Sequence, residues 1–423
     1  KWRSEILSGV TNLPHTGALP GTLTVWGENA RPILLSGNAD KPVLLALGEL
    51  GAGRVAVLAG IGVLPGEGDY AKFHENICRW LTKGNEDLKT SEKTLAHNTK
   101  ADELKPGMLL SWSGANLAIS TDAILKHVSE GGSLLHHMCP WGWLQLNPGK
   151  CLEDMPLYGV LEKVGICYNN AYGWIPARGL EIAKHHGSDL QNFSLSLKKF
   201  LESPDKFFKE YAQLPAVDIA NIPEDAAKEI LNKYLEDFLS AVNKYFNFKM
   251  QEELSPSPKQ PVGFGTKRWV LKIIECAERL QVYKQCLPGV DIFPGNFTST
   301  PTKVCRELKL QSSFYEVHST GYYLPAGQTL VVHVKSDPVP KGWKVRVGSH
   351  GDNLNHIKEI RRWRQVVDIN ELDNNTVHVH SPFGGLVYLD SPNKPSEISV
   401  CIENVVEAPI FNLADSASVS EWP

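Results

Sequence analysis

The stretch from Ser319 to Val334 commits this part of the chain to a turn feeding a strand. Pro325 fixes its own φ and Gly327 tolerates a reversal of direction. The Leu330, Val331, Val332 and Val334 run that follows is short, β-branched and bounded, which favours a half-buried strand over a helix. From about residue 299 to 407 the same grammar repeats, with short apolar runs cut by Pro, Gly and Asn-Asn turns. That spacing predicts an all-β sandwich.

The first part of the chain follows another rule. Gly21–Gly27 and Lys41–Gly48 read as strands, and Arg54–Ala59 returns from the tight turn Gly51-Ala52-Gly53 as a hairpin partner. Gly48, Gly51 and Gly53 do not have phosphate-loop spacing, and a strand follows where a helix N-terminus would be needed. Tyr70 to Leu81 reads as a helix, because Phe73, Ile77 and Trp80/Leu81 recur on one face. Met108–Trp112 is a strand. Ser120-Thr121-Asp122 caps a helix carrying Ile124, Leu125 and Val128, which Gly131-Gly132 ends before the strand Ser133–Met138. Helix, Gly-Gly, apolar strand predicts an α/β sheet with a crossover helix over residues 1 to about 185.

Residues 186–298 read as helical. Glu224 to Phe248 carries an apolar stripe, with Pro223 at its start. Ser255–Pro261 is a Pro/Ser linker, and Thr266 to Cys286 reads as a second amphipathic helix. The fold class is therefore multidomain: an α/β domain, a helical segment and a β-sandwich.

A length of 423 residues allows two to three domains, and 42% hydrophobic with 21% charged residues is ordinary for a globular protein. The net charge of −4 and the lack of a dense basic run argue against a nucleic-acid partner. The nearest candidate, Arg361-Arg362-Trp363-Arg364, reads as a strand or loop edge. No run of about 20 apolar residues predicts a membrane-spanning helix. Lys1–Glu5 leads into no signal-peptide core. Eight cysteines at irregular spacing favour reduced, buried thiols, although Cys276 and Cys286 are placed to pair. Three N-x-S/T sequons, at Asn192, Asn296 and Asn374, leave a secreted alternative open.

Specific wording carries a family resemblance. "STGYYLPAG" at residues 319–327, Gly348-Ser349-His350-Gly351-Asp352-Asn353-Leu354, Phe383–Tyr388 and Glu407-Ala408-Pro409 through Glu421-Trp422 occur in the order seen in enhancin-like metallopeptidases and the TRP channel-associated factors. Glu130-Gly131-Gly132-Ser133-Leu134, the Trp-rich loop Trp141-Gly142-Trp143 and the opening Ser8-Gly9-Val10-Thr11 resemble the channel-associated factors again. The resemblance implies a glutamine-amidotransferase-like domain over 1–185 and an Ig-like or jelly-roll sandwich over 299–407. It also implies the start of a peptidase-like domain at 408–423. The vertebrate factors carry two amidotransferase-like domains in tandem, and one is found here. The zincin signature H-E-x-x-H is absent, since His74-Glu75 is followed by Cys78 where the second His would stand. The resemblance thus implies a non-catalytic protein that binds a membrane cation channel and modulates its traffic or gating, cytoplasmic and peripheral to the plasma membrane. The alternative is the substrate-positioning region of a mucin-directed zinc peptidase, with zinc expected only alongside a peptidase domain. A glycan-binding module is a third reading.

Few side chains offer chemistry. Cys139 follows a predicted strand and lies near His136 and His137, but Pro140 and Trp141 fit a nucleophile elbow poorly, so no catalytic residue is assigned. His378 and His380 share one strand face, and His350 with Asp352 would complete a metal set only if the sandwich brings them close. Trp141, Trp143 and Trp174 are candidates for a carbohydrate-stacking platform, against the commoner role of core plugs.

Overall fold

The computed structural model describes residues 1–408 except 16, 18, 39, 61–67, 86–92, 97, 113–116, 118, 212–218, 284–286, 296–305, 353, 355 and 356. The chain divides into two compact units, residues 1–241 with 264–272, and residues 242–263 with 273–423.

The first unit is built on an eight-stranded mixed sheet. Its elements are α1 (Trp2–Ile6), β1 (Thr22–Val25), β2 (Ala30–Leu35), β3 (Val43–Leu50), β4 (Gly53–Leu58) and α2 (Asp69–Leu81). They continue through β5 (Lys93–Thr94), β6 (Leu109–Trp112), α3 (Thr121–Ser129), β7 (Ser133–His137), α4 (Pro140–Leu146), α5 (Tyr158–Lys163) and β8 (Ile166–Asn169). The strand order is β5-β6-β7-β4-β3-β1-β8, with β2 paired to β3. Strands β4 to β7 run parallel, and β3 with β4 forms the expected hairpin, Leu50 opposite Gly53. Phe73, Ile77 and Trp80 of α2 bury into one core with Ala56, Leu58 and Leu135. The alternate residues Val55, Val57 and Leu134 are buried outside that core, and α3, which packs on β4 and β7, covers them from the opposite face.

Helices α6 (Phe193–Glu202), α7 (Pro204–Glu210), α8 (Glu224–Tyr245) and α9 (Thr266–Arg279) follow. Phe200 sits at the centre of an aromatic cluster, with ring centroids 5.5 Å from Phe207, 5.2 Å from Phe238 and 5.6 Å from Trp269. The two long helices end earlier than their apolar stripes suggest. Asn247 and Phe248 turn left-handed after α8, and Gln281 does so after α9, so backbone conformation ends helices whose side-chain pattern continues.

Asn192 shows how local chemistry fixes a junction. Its Oδ1 accepts from Leu195 N at 3.0 Å as the N-cap of α6, while Nδ2 donates to Gly27 O at 2.8 Å and Ala30 O at 3.0 Å. The side chain is fully buried. This sequon asparagine is thus spent on the fold, whereas Asn374 is exposed and Asn296 lies outside the described residues. Asn192→Ala removes three hydrogen bonds of a buried side chain and is expected to cost about 3 kcal/mol. Chemical unfolding measures that loss, and mass spectrometry of folded protein should find residue 192 unmodified.

The second unit is a sandwich of two antiparallel sheets. Its strands are β9 (Arg306–Ser312), β10 (Val317–Leu324), β11 (Gln328–Val334), β12 (Lys344–His350), β13 (Val366–Glu371), β14 (Thr376–Ser381), β15 (Gly385–Asp390), β16 (Ser396–Glu403) and β17 (Val406–Glu407). One sheet has the order β9-β16-β11-β14 and the other β13-β12-β15-β10-β17. Leu330, Val332, Val379 and Val400 from the first interleave with Leu324, Val345, Val347 and Val387 from the second in one core. The predicted Pro325–Gly327 turn joins β10 to β11, with Gly327 at φ +71°.

The cysteines depart in part from the reduced-thiol expectation. Cys78 and Cys167 are buried, Cys151 is exposed, and Cys401 is disulfide-bonded. Cys276 is half-buried and not in a disulfide, so the Cys276–Cys286 pairing that the spacing allowed is not formed. Residues 409–423, expected to open a further domain, lie outside the described residues.

Candidate functional site

Strands β4 and β7 are adjacent and parallel, yet their chains leave toward opposite faces, one into α2 and the other into α4 and α5. Such a point forms a crevice beyond the carboxyl ends of the strands, the usual ligand site of an open α/β sheet. The sequence places Cys139, His136 and His137 there.

Cys139 does stand at a strand-to-helix junction, as the N-cap residue of α4, with φ −92° and ψ 104°. That is relaxed extended backbone, not the strained turn that lifts a nucleophile above a sheet. Burial pushes the Cys139 thiol up, away from the thiolate. Space is missing as well. A Cβ on Gly60 would come within 3.0 Å of the Cys139 Cβ, and one on Gly21 within 2.3 Å of the Pro140 ring. Gly60 and Gly21 thus pack directly against Cys139 and Pro140.

His136 is fully buried. Its Nδ1 lies 2.6 Å from the Tyr168 hydroxyl, which donates to Leu58 O at 3.2 Å, and the Trp112 ring is 4.7 Å away. Burial first, and the neighbouring His137 second, lower the His136 pKa to about 3. The imidazole is neutral when folded and titrates near 6.5 when unfolded, so the unfolded chain binds the proton first as pH falls. Stability from this group is complete above about pH 6.5 and falls by about 1.4 kcal/mol per pH unit on the way to pH 3. Denaturant unfolding of the parent chain and His136→Gln at pH 7 and pH 5 tests this, and the variant should show the shallower dependence.

The three candidate tryptophans separate. The Trp-rich segment expected to be a loop is helix α4, because Pro140 at its first position presets the helical φ. Trp143 is buried in the first unit. Trp141 stays at the rim, its ring 5.4 Å from Tyr172. Trp174 is 46% exposed and Tyr172 55%. Trp174 is held by its backbone, its N–H donating to Ser36 Oγ at 2.7 Å and its carbonyl accepting from Gly37 N at 2.8 Å. Tyr172 was not singled out from sequence, although the alternation Tyr172-Gly173-Trp174 was there to suggest it.

The histidines of the sandwich are not brought into one set. His380 Nε2 lies 2.8 Å from Glu278 Oε1 and its Nδ1 3.0 Å from Thr329 Oγ1. His378 is exposed on the same strand. His350 belongs to the other sheet, its ring tilted against Phe293 with centroids 5.1 Å apart, and Asp352 accepts from Arg362 at 3.1 Å. Among the described residues no group of three or more His, Cys, Asp or Glu could hold a metal ion.

Glu278 belongs to a charge network that the sequence did not single out. Glu275 accepts from Arg364 at 3.0 Å and from Arg279 at 3.4 Å, and Arg279 also meets Asp368, which accepts from Ser381 Oγ at 2.6 Å. The Arg279 guanidinium lies 5.6 Å from the Phe383 ring centroid. These contacts bind the C-terminal half of α9 to the sandwich. They also occupy Arg364, while Trp363 is buried and donates to Pro288 O at 2.8 Å, so the Arg-rich run serves packing.

The α/β unit and the antiparallel sandwich each coincide with a separate family match. Residues 2–173 match the family described as "TRPM8, N-terminal domain", and residues 299–403 match the "N-terminal domain of M60-like peptidases". The chain is similar along 99% of its length to a TRPM8 channel-associated factor homolog of Danio rerio, at 26% identity, covering 47% of that protein. TRPM8 channel-associated factor 3 of Rattus norvegicus and factor 2 of Homo sapiens are each 24% identical over 99% of this chain, with 46% and 47% of their own lengths covered. The chain spans about half the length of these relatives. Among solved structures, the IMPa metallopeptidase of Pseudomonas aeruginosa in complex with an O-glycopeptide aligns over 99% of this chain and 55% of its own, with a TM-score of 0.45 and 15% identity.

Proposed function

We propose that this chain is a non-catalytic binding module that engages a membrane cation channel of the TRPM8 kind and modulates its trafficking or gating. The observation that carries the reading is similarity along 99% of this chain to proteins named TRPM8 channel-associated factors, joined to the match over residues 2–173. In this reading residues 1–185 are an amidotransferase-like domain without a catalytic cysteine, 186–298 are helical, and 299–407 form a sandwich of the Ig-like or jelly-roll kind. No helix among the described residues is long and apolar enough to cross a membrane, which accords with a peripheral place beside the channel. Co-expression with TRPM8 tests the proposal. It predicts a changed surface density or current of the channel, and an unchanged pair of values contradicts it.

The match over residues 299–403 favours a second reading, an accessory region that presents glycoprotein to a zinc peptidase domain. The exposed Tyr172 and Trp174 rings are the surface it would use. It predicts retention of the chain on immobilised mucin glycopeptide, lost in Trp174→Ala. Equal retention of both proteins counts against it.

A further inference from the structure

Asn374 stands at the bend that joins β13 to β14. Asp373, Asn374, Asn375 and Thr376 are exposed in succession. The bend is held by its backbone: Val334 N donates to Asn375 O at 2.9 Å, and Leu372 N donates to Trp343 O at 2.9 Å. Leu372 and Trp343 are buried and anchor it from below. The Asn374 amide itself stays at the surface, its Nδ2 donating to Asp373 Oδ1 at 2.8 Å, a contact between two exposed neighbours.

Asn374-Asn375-Thr376 is a glycosylation triplet with no proline in the middle. Such triplets are common by chance, and two structural observations separate this one. The first is that the finished fold has room for a sugar here. Asn192 is the internal contrast, because its amide is buried and caps α6, so a glycan there is incompatible with the fold. The second is the disulfide at Cys401, on β16 of the same sandwich and fully buried. Structural disulfides persist in oxidising compartments, which are also where asparagine glycans are added. The exposed thiol of Cys151 is the counter-observation. Hydrogen bonds to Glu153 and then Asp154 push that thiol up, away from the thiolate that disulfide exchange needs, so it can stay reduced beside an oxidised Cys401.

Position adds a consequence. Strands β13 and β14 are each the last strand of their own sheet, so Asn374 lies where two open edges meet. Open edges invite pairing with other chains, and a bulky polar group beside them discourages it.

We propose that Asn374 is an N-glycan acceptor and that the sandwich is exposed to an extracytoplasmic compartment. The donor is a lipid-linked oligosaccharide diphosphate. The Asn374 Nδ2 forms a bond to the anomeric carbon, the bond from that carbon to the diphosphate oxygen breaks, the amide proton passes to the transferase base, and the lipid diphosphate leaves. The proposal is separate from the channel reading, since a channel has an outer face as well, and either can fail alone.

The test uses the protein from its native source. Peptide-N-glycosidase digestion in heavy-oxygen water converts a glycosylated asparagine to labelled aspartate, which peptide mass spectrometry places. The expected result is labelled aspartate at 374 only after enzyme treatment, with Asn192 unchanged. Asn374→Gln and Thr376→Ala, expressed in the same cells, should each abolish the label and the accompanying gel shift. Thermal unfolding of the two variants after glycosidase treatment should match the treated parent, because both side chains are exposed. Alkylation of unfolded, unreduced protein should leave Cys401 unlabelled. Unmodified Asn374 in the native protein overturns the proposal, and so does ready alkylation of Cys401 before reduction.

Discussion

Gly53→Ala is expected to destabilise the first unit by about 3 kcal/mol or more. A Cβ at this position would stand 1.9 Å from Val128 O and 2.2 Å from Gly132 O. Both atoms are backbone, at the end of α3 and in the turn leading to β7, so no side chain can swing aside. Gly53 opens β4 where it runs beside β7, with Arg54 N donating to Gly132 O at 3.3 Å. Relief would separate two central parallel strands. Gly27→Ala is the matched control, because open space surrounds it and only its φ of +73° is unfavourable. Its expected cost is about 1 kcal/mol. Denaturant unfolding measures both, and a Gly53→Ala chain as stable as the parent would refute the packing described for this hairpin.

Glu275→Ala carries the largest expected effect in the second unit, a loss of about 3–5 kcal/mol. The Glu275 and Arg364 side chains are 7% and 10% exposed, and removing the carboxylate breaks this buried ion pair. Arg279 keeps Asp368, so the damage centres on Arg364. Replacing both partners, Glu275→Ala with Arg364→Met, removes both buried charges and should cost less than the sum of the two single losses. Unfolding of the two single variants and the double variant closes the cycle. Purely additive losses would mean that the pair does not interact.

Sequence pattern reached the elements that local rules govern. The Gly51-Ala52-Gly53 hairpin, the helix through Phe73 and Ile77, and the Pro325–Gly327 turn each follow from a few neighbouring residues, and each is present. It failed where the deciding partner is distant. Glu275, Glu278 and Arg279 read as the polar face of an amphipathic helix, and polar faces ordinarily meet water. Here they meet Arg364, His380 and Asp368, which lie 89, 102 and 89 residues away. The His378–His380 alternation was correctly read as one strand face, but not that Glu278 would take the His380 ring. Helix α4 is too short for periodicity to show. Asn192 matched a glycosylation triplet, and its capping role emerged only once β1 and β2 had brought Gly27 and Ala30 beside it.

The proposed role stands or falls on direct binding to the channel. Purified chain titrated onto purified TRPM8, with co-elution on size exclusion as the readout, tests it most directly. The expected result is a saturable complex that survives in Cys139→Ser, since no chemistry is assigned to that thiol. Separate elution at every ratio would contradict it.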